Sequence, residues 1–132
     1  MKFSHIALNC RDIDATGAFY IHHFGFKVAR TLPLEGSDKI VFLKRDDVYL
    51  ELFGSQIQVN RLFPDGHHAQ GMVRHLAFQV DSVDAVLEGM GEAAKVTLGP
   101  LEFDAFIPGW KTVWLEDPDG TVVEVSQGYR DE

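Results

Sequence analysis

Short stretches in which apolar and polar residues alternate recur along this chain. In residues 3–9, Ile6 and Leu8 fall on one face, and His5 and Ala7 fall on the other. A period of two is typical of a strand with one buried face. Similar stretches predict further strands over residues 27–31, 39–44, 48–53, 74–80, 95–98, 111–115 and 121–126.

Two helices are predicted among these strands. Asp12 can cap the first, which runs to about residue 24 and ends at Gly25. Asp81 or Ser82 can cap the second, which runs to about residue 91. The element order is therefore β-α-β-β-β, twice. We expect one α+β domain over residues 1–132, with internal modules at about 1–55 and 72–128.

The two modules also repeat individual residues. Segment 5–9 (HIALN) returns as 75–79 (HLAFQ), and segment 39–43 (KIVFL) returns as 111–115 (KTVWL). A glutamate follows the lysine of each later segment, after 12 residues in the first module and 13 in the second. A fold with a pseudo-two-fold axis gathers such repeated residues at one point. The repeat therefore predicts a metal site, whose ligands are His5, Glu51, His75 and Glu124.

The two glutamates lie in strands that are otherwise apolar. A buried carboxylate is costly unless it meets a cation or a metal ion, and no Lys or Arg is interleaved on these strands. Ala7 and Ala77, two residues after each histidine, leave room for an ion. The alternative is two core histidines and two solvent-facing glutamates, but the repetition of all four favours a metal. This mixed nitrogen and oxygen set suits Ni, Co, Zn, Mn or Fe and does not choose among them.

Composition restricts the class of partner. The net charge is −8, from 20 acidic and 12 basic residues, and no basic cluster is present, so neither nucleic acid nor a membrane is expected as a partner. No stretch approaches the ~20 apolar residues that cross a bilayer, and no signal peptide is evident. The single Cys10 excludes an internal disulfide and suits a cytoplasmic protein.

A long aromatic loop is predicted over residues 99–110. It contains Phe103, Phe106 and Trp110. Exposed aromatic side chains on a long loop indicate either a lid or an interface, and the alternative is that they cover a hydrophobic face. The sequence leaves both interpretations open.

These features resemble the vicinal oxygen chelate superfamily, which contains glyoxalase I, methylmalonyl-CoA epimerase, fosfomycin-resistance and bleomycin-resistance proteins and extradiol dioxygenases. The resemblance covers the whole chain. It implies paired βαβββ modules in a cupped, mostly antiparallel sheet around a metal, and a homodimer whose site can draw on both chains. It rests on residues 5–8, 19–20, 24–26 and 115–120, and on Glu51, His75 and Glu124.

The four ligands are most similar to those of bacterial glyoxalase I. The resemblance implies a lyase that isomerises the hemithioacetal of an α-ketoaldehyde and a thiol. A divalent metal stabilises the developing oxygen charge, and Glu51 or Glu124 moves a proton between adjacent carbons. The sequence does not decide which glutamate is the base. The candidate substrate-binding residues are Asn9, Gln79, Trp114 and Phe106.

The sequence departs from glyoxalase I where that enzyme holds glutathione. Asn9 stands where an arginine is common, and residues 53–55 (FGS) replace an expected asparagine. A neutral amide cannot replace a cationic clamp, so the thiol stays open. The other functions considered are epimerase-type proton transfer, extradiol dioxygenation, thiol transfer to an antibiotic such as fosfomycin, and non-catalytic small-molecule binding.

Overall fold

A computed structural model describes residues 1–132, which divide into two compact units, 1–58 and 59–132. The first unit is a four-stranded sheet with one helix. Strand β1 runs parallel to β4, the other neighbours are antiparallel, and the strand order is β1-β4-β3-β2. Its elements are β1 (Ile6–Cys10), α1 (Ile13–Phe24), β2 (Lys27–Pro33), β3 (Lys39–Arg45) and β4 (Val48–Gly54).

One face of this sheet packs against α1. Leu43, Leu50 and Leu52 are almost fully buried on that face, and Tyr20 of the helix is fully buried. Burial of a side chain of this size contributes about 1.5–3 kcal/mol, so this apolar layer fixes which face each strand residue takes. Residues on the opposite face, including Glu51, are left free for other contacts.

The second unit repeats this arrangement. Its strand order is β5-β8-β7-β6, again with a parallel outer pair, β5 and β8. The side chain of Ser82 caps its helix by accepting from the Ala85 N–H at 3.1 Å. A 3₁₀ turn, Gly91–Ala93, follows that helix. The elements are β5 (Leu76–Gln79), α2 (Val83–Met90), β6 (Lys95–Glu102), β7 (Lys111–Glu116) and β8 (Val122–Gln127).

The predicted α+β fold of two β-α-β-β-β modules is confirmed, with local corrections at strand ends. Strand β2 was expected to end at residue 31 but continues to Pro33. Strand β6 was expected to end at residue 98 but continues to Glu102, because register shifts between Val96 and Leu101 allow the strand to pass Pro100. His5 and His75 were placed within strands, whereas each lies one residue before its strand begins. Neither α1 nor α2 has the length and the apolar composition that a membrane-spanning helix needs.

Candidate metal centre

The first unit brings His5 and Glu51 together. Nε2 of His5 lies 2.8 Å from Oε2 of Glu51. The parallel pairing of β1 with β4 sets Ala7 directly opposite Glu51, so the small methyl group leaves space beside the carboxylate. The Glu51 side chain is 15% exposed and that of His5 is 37% exposed. This pair is therefore half-buried but open to a ligand.

The second unit brings His75 and Glu124 together in the same way. Nε2 of His75 lies 2.7 Å from Oε2 of Glu124. Ala77 is directly opposite Glu124 in the pairing of β5 with β8. Taken by itself, each unit joins one histidine to one glutamate, and neither contains a group of three or more His, Cys, Asp or Glu side chains suited to a metal.

The backbone of the connector, the segment between β4 and β5, fixes the orientation of His75. Its Nδ1 lies 2.8 Å from the carbonyl oxygen of Asp65. A carbonyl oxygen only accepts, so Nδ1 carries the proton, and the Nε2 of a neutral ring presents its lone pair to Glu124. Nδ1 of His5 instead lies 2.8 Å from the hydroxyl of Ser4, which can donate or accept. Only the His75 tautomer is fixed by its partner.

This lone pair provides a test of whether a metal fits. A neutral His75 would turn its lone pair toward a carboxylate oxygen only 2.7 Å away. Two such groups repel each other unless a positive charge, either a proton or a metal ion, lies between them. Ligating histidines commonly donate their other ring N–H to a carbonyl or carboxylate, as His75 does. The residues therefore fit a divalent metal.

A small network holds the Asp65 turn in place. The Asp65 carboxylate bonds the His68 ring nitrogen at 2.7 Å and accepts from Arg74 Nη1 at 3.1 Å. The ring of Phe63 stacks on His68 with centroids 3.7 Å apart. Burial opposes ionisation of Asp65, but His68, a backbone amide and Arg74 hold its pKa below the ordinary value. The carbonyl group that orients His75 therefore belongs to a turn that several side-chain contacts hold in place.

The two glutamates differ in their remaining contacts. The Thr112 hydroxyl donates to Oε1 of Glu124 at 2.8 Å, so both carboxylate oxygens of Glu124 have partners. The repeat-equivalent residue in the first unit is Ile40, which has no hydroxyl. Oε1 of Glu51 makes no hydrogen bond within the protein. Both carboxylate oxygens of Glu124 are therefore held by partners, whereas only Oε2 of Glu51 is held.

The predicted substrate-binding residues have different surroundings. Asn9 is exposed, whereas the Gln79 amide donates to the Tyr129 carbonyl at 3.3 Å. Trp114 is directly opposite Glu124 in the sheet, and its buried indole N–H has no hydrogen-bond partner. Phe106 is 78% exposed. Of these four residues, Trp114 is the one with a buried donor that the protein leaves without a partner.

Two contributors to the site were not predicted from the sequence. Asp65 acts through its backbone and lies in the connector, where no repeat marks it. Thr112 carries a weak signal, because a hydroxyl within an otherwise apolar strand, here fully buried, indicates a polar partner. A cavity of about 350 Å³ also adjoins the first pair, lined by Lys2, Ser4, His5, Phe42 and Tyr49.

The chain is thus built of two repeated modules, each of which carries one His–Glu pair. The model of the glyoxalase/bleomycin resistance protein/dioxygenase superfamily matches residues 2–125. The chain therefore belongs to this superfamily, as the sequence resemblance predicted.

Individual relatives agree with this assignment. The protein YwkD of Bacillus subtilis (strain 168), described as uncharacterized, is 30% identical over 128 residues, which cover 92% of each chain. A glyoxalase family protein from Enterococcus faecalis has a similar structure, with a TM-score of 0.74 and 33% identity over 95% of this chain and 96% of that one.

A resistance protein shares the fold at lower identity. The fosfomycin resistance protein FosX from Listeria monocytogenes, solved with Mn(II) and a sulfate ion, matches with a TM-score of 0.71. It is 18% identical, over 96% of this chain and 92% of that one. This likeness concerns the fold alone, and the Mn(II) ion is a property of FosX.

Proposed function

We propose that His5, Glu51, His75 and Glu124 together bind one divalent metal ion, and that the protein is a glyoxalase I-like lyase. The ligands come from one chain or are shared by two chains of a homodimer. The observation that carries this proposal is that Nε2 of His75 lies 2.7 Å from Oε2 of Glu124 while its Nδ1 lies 2.8 Å from the Asp65 carbonyl oxygen, an arrangement that a cation between the two side chains stabilises. Ni, Co, Zn, Mn and Fe all suit these ligands.

The reaction proposed is the isomerisation of a hemithioacetal of an α-ketoaldehyde and a thiol. The metal, when bound, supplies the Lewis acidity that stabilises negative charge on the substrate oxygens. Glu51 is the better proton carrier, because its Oε1 makes no hydrogen bond and is free to take a proton from one carbon and return it to the next. Glu124, held by Thr112 and His75, serves as the fixed ligand.

The unsatisfied donor of Trp114 supports a substrate contact in this scheme. Its indole N–H is buried and unpaired, and its strand position is opposite Glu124. A buried donor without a partner costs about 1–3 kcal/mol, which a substrate oxygen would recover.

The single buried Cys10 suits the reducing cytoplasm.

The test is turnover of methylglyoxal adducts of several thiols by protein loaded with each of the five metals. We expect Glu51→Gln to lower kcat by about 100-fold or more while the protein keeps most of its metal. Glu124→Gln, by contrast, should lower the metal content of the protein. Absence of turnover with every metal and thiol, from protein that binds metal, would reject the lyase and leave epimerase-type proton transfer or simple binding.

A further inference from the structure

The sheet face that carries Glu51 also carries three cationic side chains, in two neighbouring rows. In the pairing of β2, β3 and β4, Arg30 is opposite Phe42, and Phe42 is opposite Glu51. In the next row, Lys27 is opposite Lys44, and Lys44 is opposite Tyr49. Side chains directly opposite one another in a sheet share a face. Three cations therefore lie on the Glu51 side of this sheet.

A β-bulge turns Arg30 to this side. Val28 pairs with the buried Leu43, and the register then shifts by one residue at Ala29, so Arg30 pairs with Phe42. With a regular period of two, Arg30 would share the face of Val28 and point toward the helix. Bulges near functional sites often redirect a side chain in this way.

These cations have no acidic partner. Lys27 and Arg30 are exposed and make no hydrogen bond or ion pair, and the Lys44 ammonium lies 5.2 Å from the centre of the Tyr49 ring. Glu51 is the one carboxylate among the strand residues of this face, and it is engaged with His5. The chain has a net charge of −8, yet the surface beside His5 and Glu51 is positive. Such a surface attracts and orients an anion.

The second unit keeps one of these three cations at the equivalent positions, Lys95 in the place of Lys27, but has neither of the other two. Its β6 has the same register shift, but Leu98, not an arginine, pairs with Trp114. Glu116 takes the place of Lys44, and its carboxylate accepts from Arg61 Nη2 at 3.0 Å. The repeat therefore accounts for Lys27 but not for Arg30 or Lys44, since the same backbone accommodates a leucine in the place of Arg30.

We propose that Arg30 is the specificity-determining residue that binds an anionic group, a carboxylate or a phosphonate, at the end of the substrate away from the reacting carbons. Two strand spacings, about 9.5 Å, separate its backbone from that of Glu51, a distance that a small substrate lying over Phe42 spans. A guanidinium can bind such a group through two parallel hydrogen bonds. Lys27 and Lys44 strengthen the field, and the cavity that His5, Phe42 and Tyr49 line gives room for the reacting end of the substrate.

This assignment rests on the proposed function only for the reacting end, so the anion site can be tested without turnover. Propylphosphonate and butyrate would be titrated into metal-free and metal-loaded protein by NMR, following the Arg30 side-chain Nε–H signal. We expect both anions to shift that signal and the neutral amide butyramide to leave it unchanged. The relative affinities of the two anions distinguish a phosphonate from a carboxylate substrate.

Substitutions of Arg30 decide the assignment. Arg30→Leu introduces the residue that the second unit has at this place, and Arg30→Gln is a polar alternative should the leucine variant fold poorly. We expect either to weaken anion binding by about 10-fold to 100-fold, with partial recovery in Arg30→Lys. Arg130→Leu removes the same charge near the C-terminus and should have little effect.

Two outcomes separate this inference from the proposed lyase. Unchanged anion affinity in Arg30→Leu and Arg30→Gln would overturn the anion site, even if hemithioacetals are turned over. Lost affinity in those variants, in protein that isomerises no adduct, would uphold the anion site and reject the lyase. For an active enzyme, Arg30→Leu should raise KM for anionic adducts far more than it lowers kcat.

Discussion

The carbonyl oxygen of Asp65 lies 2.8 Å from Nδ1 of His75 and fixes which ring nitrogen faces Glu124. The two residues are ten positions apart in the chain, and the turn that contains Asp65 has no counterpart in the repeat. Because the carbonyl belongs to the backbone, its position depends on the contacts that hold the turn. The first two predictions concern those contacts.

Asp65→Ala should weaken metal binding. Loss of the carboxylate removes the bonds to His68 and Arg74, and the turn that orients His75 loosens. We expect metal affinity to fall by about 10-fold to 100-fold, as it does when groups that orient ligating histidines are lost. Long-range ¹H–¹⁵N NMR should also show a mixture of His75 tautomers. Asp84→Ala, which breaks an exposed contact to Lys111, is the control. Equal affinity in the two variants would contradict the role given to Asp65.

Gly66→Ala should disturb the same turn by steric conflict. Gly66 has a φ of +120°, and an added Cβ would lie 1.7 Å from the Arg74 carbonyl oxygen. Gly71→Ala is a matched control, since Gly71 also has a positive φ, +82°, but open space around its Cβ. The control should lose about 1–2 kcal/mol of stability from backbone strain alone. Gly66→Ala should lose more stability than this and should also bind metal less tightly. Urea unfolding measures the stability, and metal titration measures the affinity.

Thr112→Val should release one side of Glu124. The hydroxyl that donates to Oε1 at 2.8 Å is replaced by a methyl group of nearly the same shape. We expect a loss of about 1–2 kcal/mol in the free energy of unfolding and a several-fold loss in metal affinity. Ile40→Val, at the equivalent place in the first unit, removes no hydrogen bond and should leave metal affinity unchanged. If both variants bind metal like the wild type, Thr112 has no part in holding Glu124.

The sequence predicted one site formed by His5, Glu51, His75 and Glu124, because each glutamate interrupts an apolar strand and recurs with its histidine in the other module. The structure places one histidine beside one glutamate in each unit. The sequence could not predict Asp65, because a backbone carbonyl leaves no trace in residue type. The orientation of Arg30 was also beyond it, since a single extra residue at Ala29 reverses the period of two. The early end predicted for β6 had a similar cause, because Gly99 and Pro100 are typical of a turn, yet the bulged strand accommodates both.

Metal content is the most direct test of the central claim, that the two His–Glu pairs are metal ligands. Protein purified without a histidine tag would be measured by mass spectrometry, as the wild type and as the Glu51→Gln/Glu124→Gln double variant. We expect about one Ni, Co, Zn, Mn or Fe ion per chain in the wild type, and a clear reduction in the double variant. A folded wild-type protein that contains no metal and cannot be loaded with any of these ions would contradict the account.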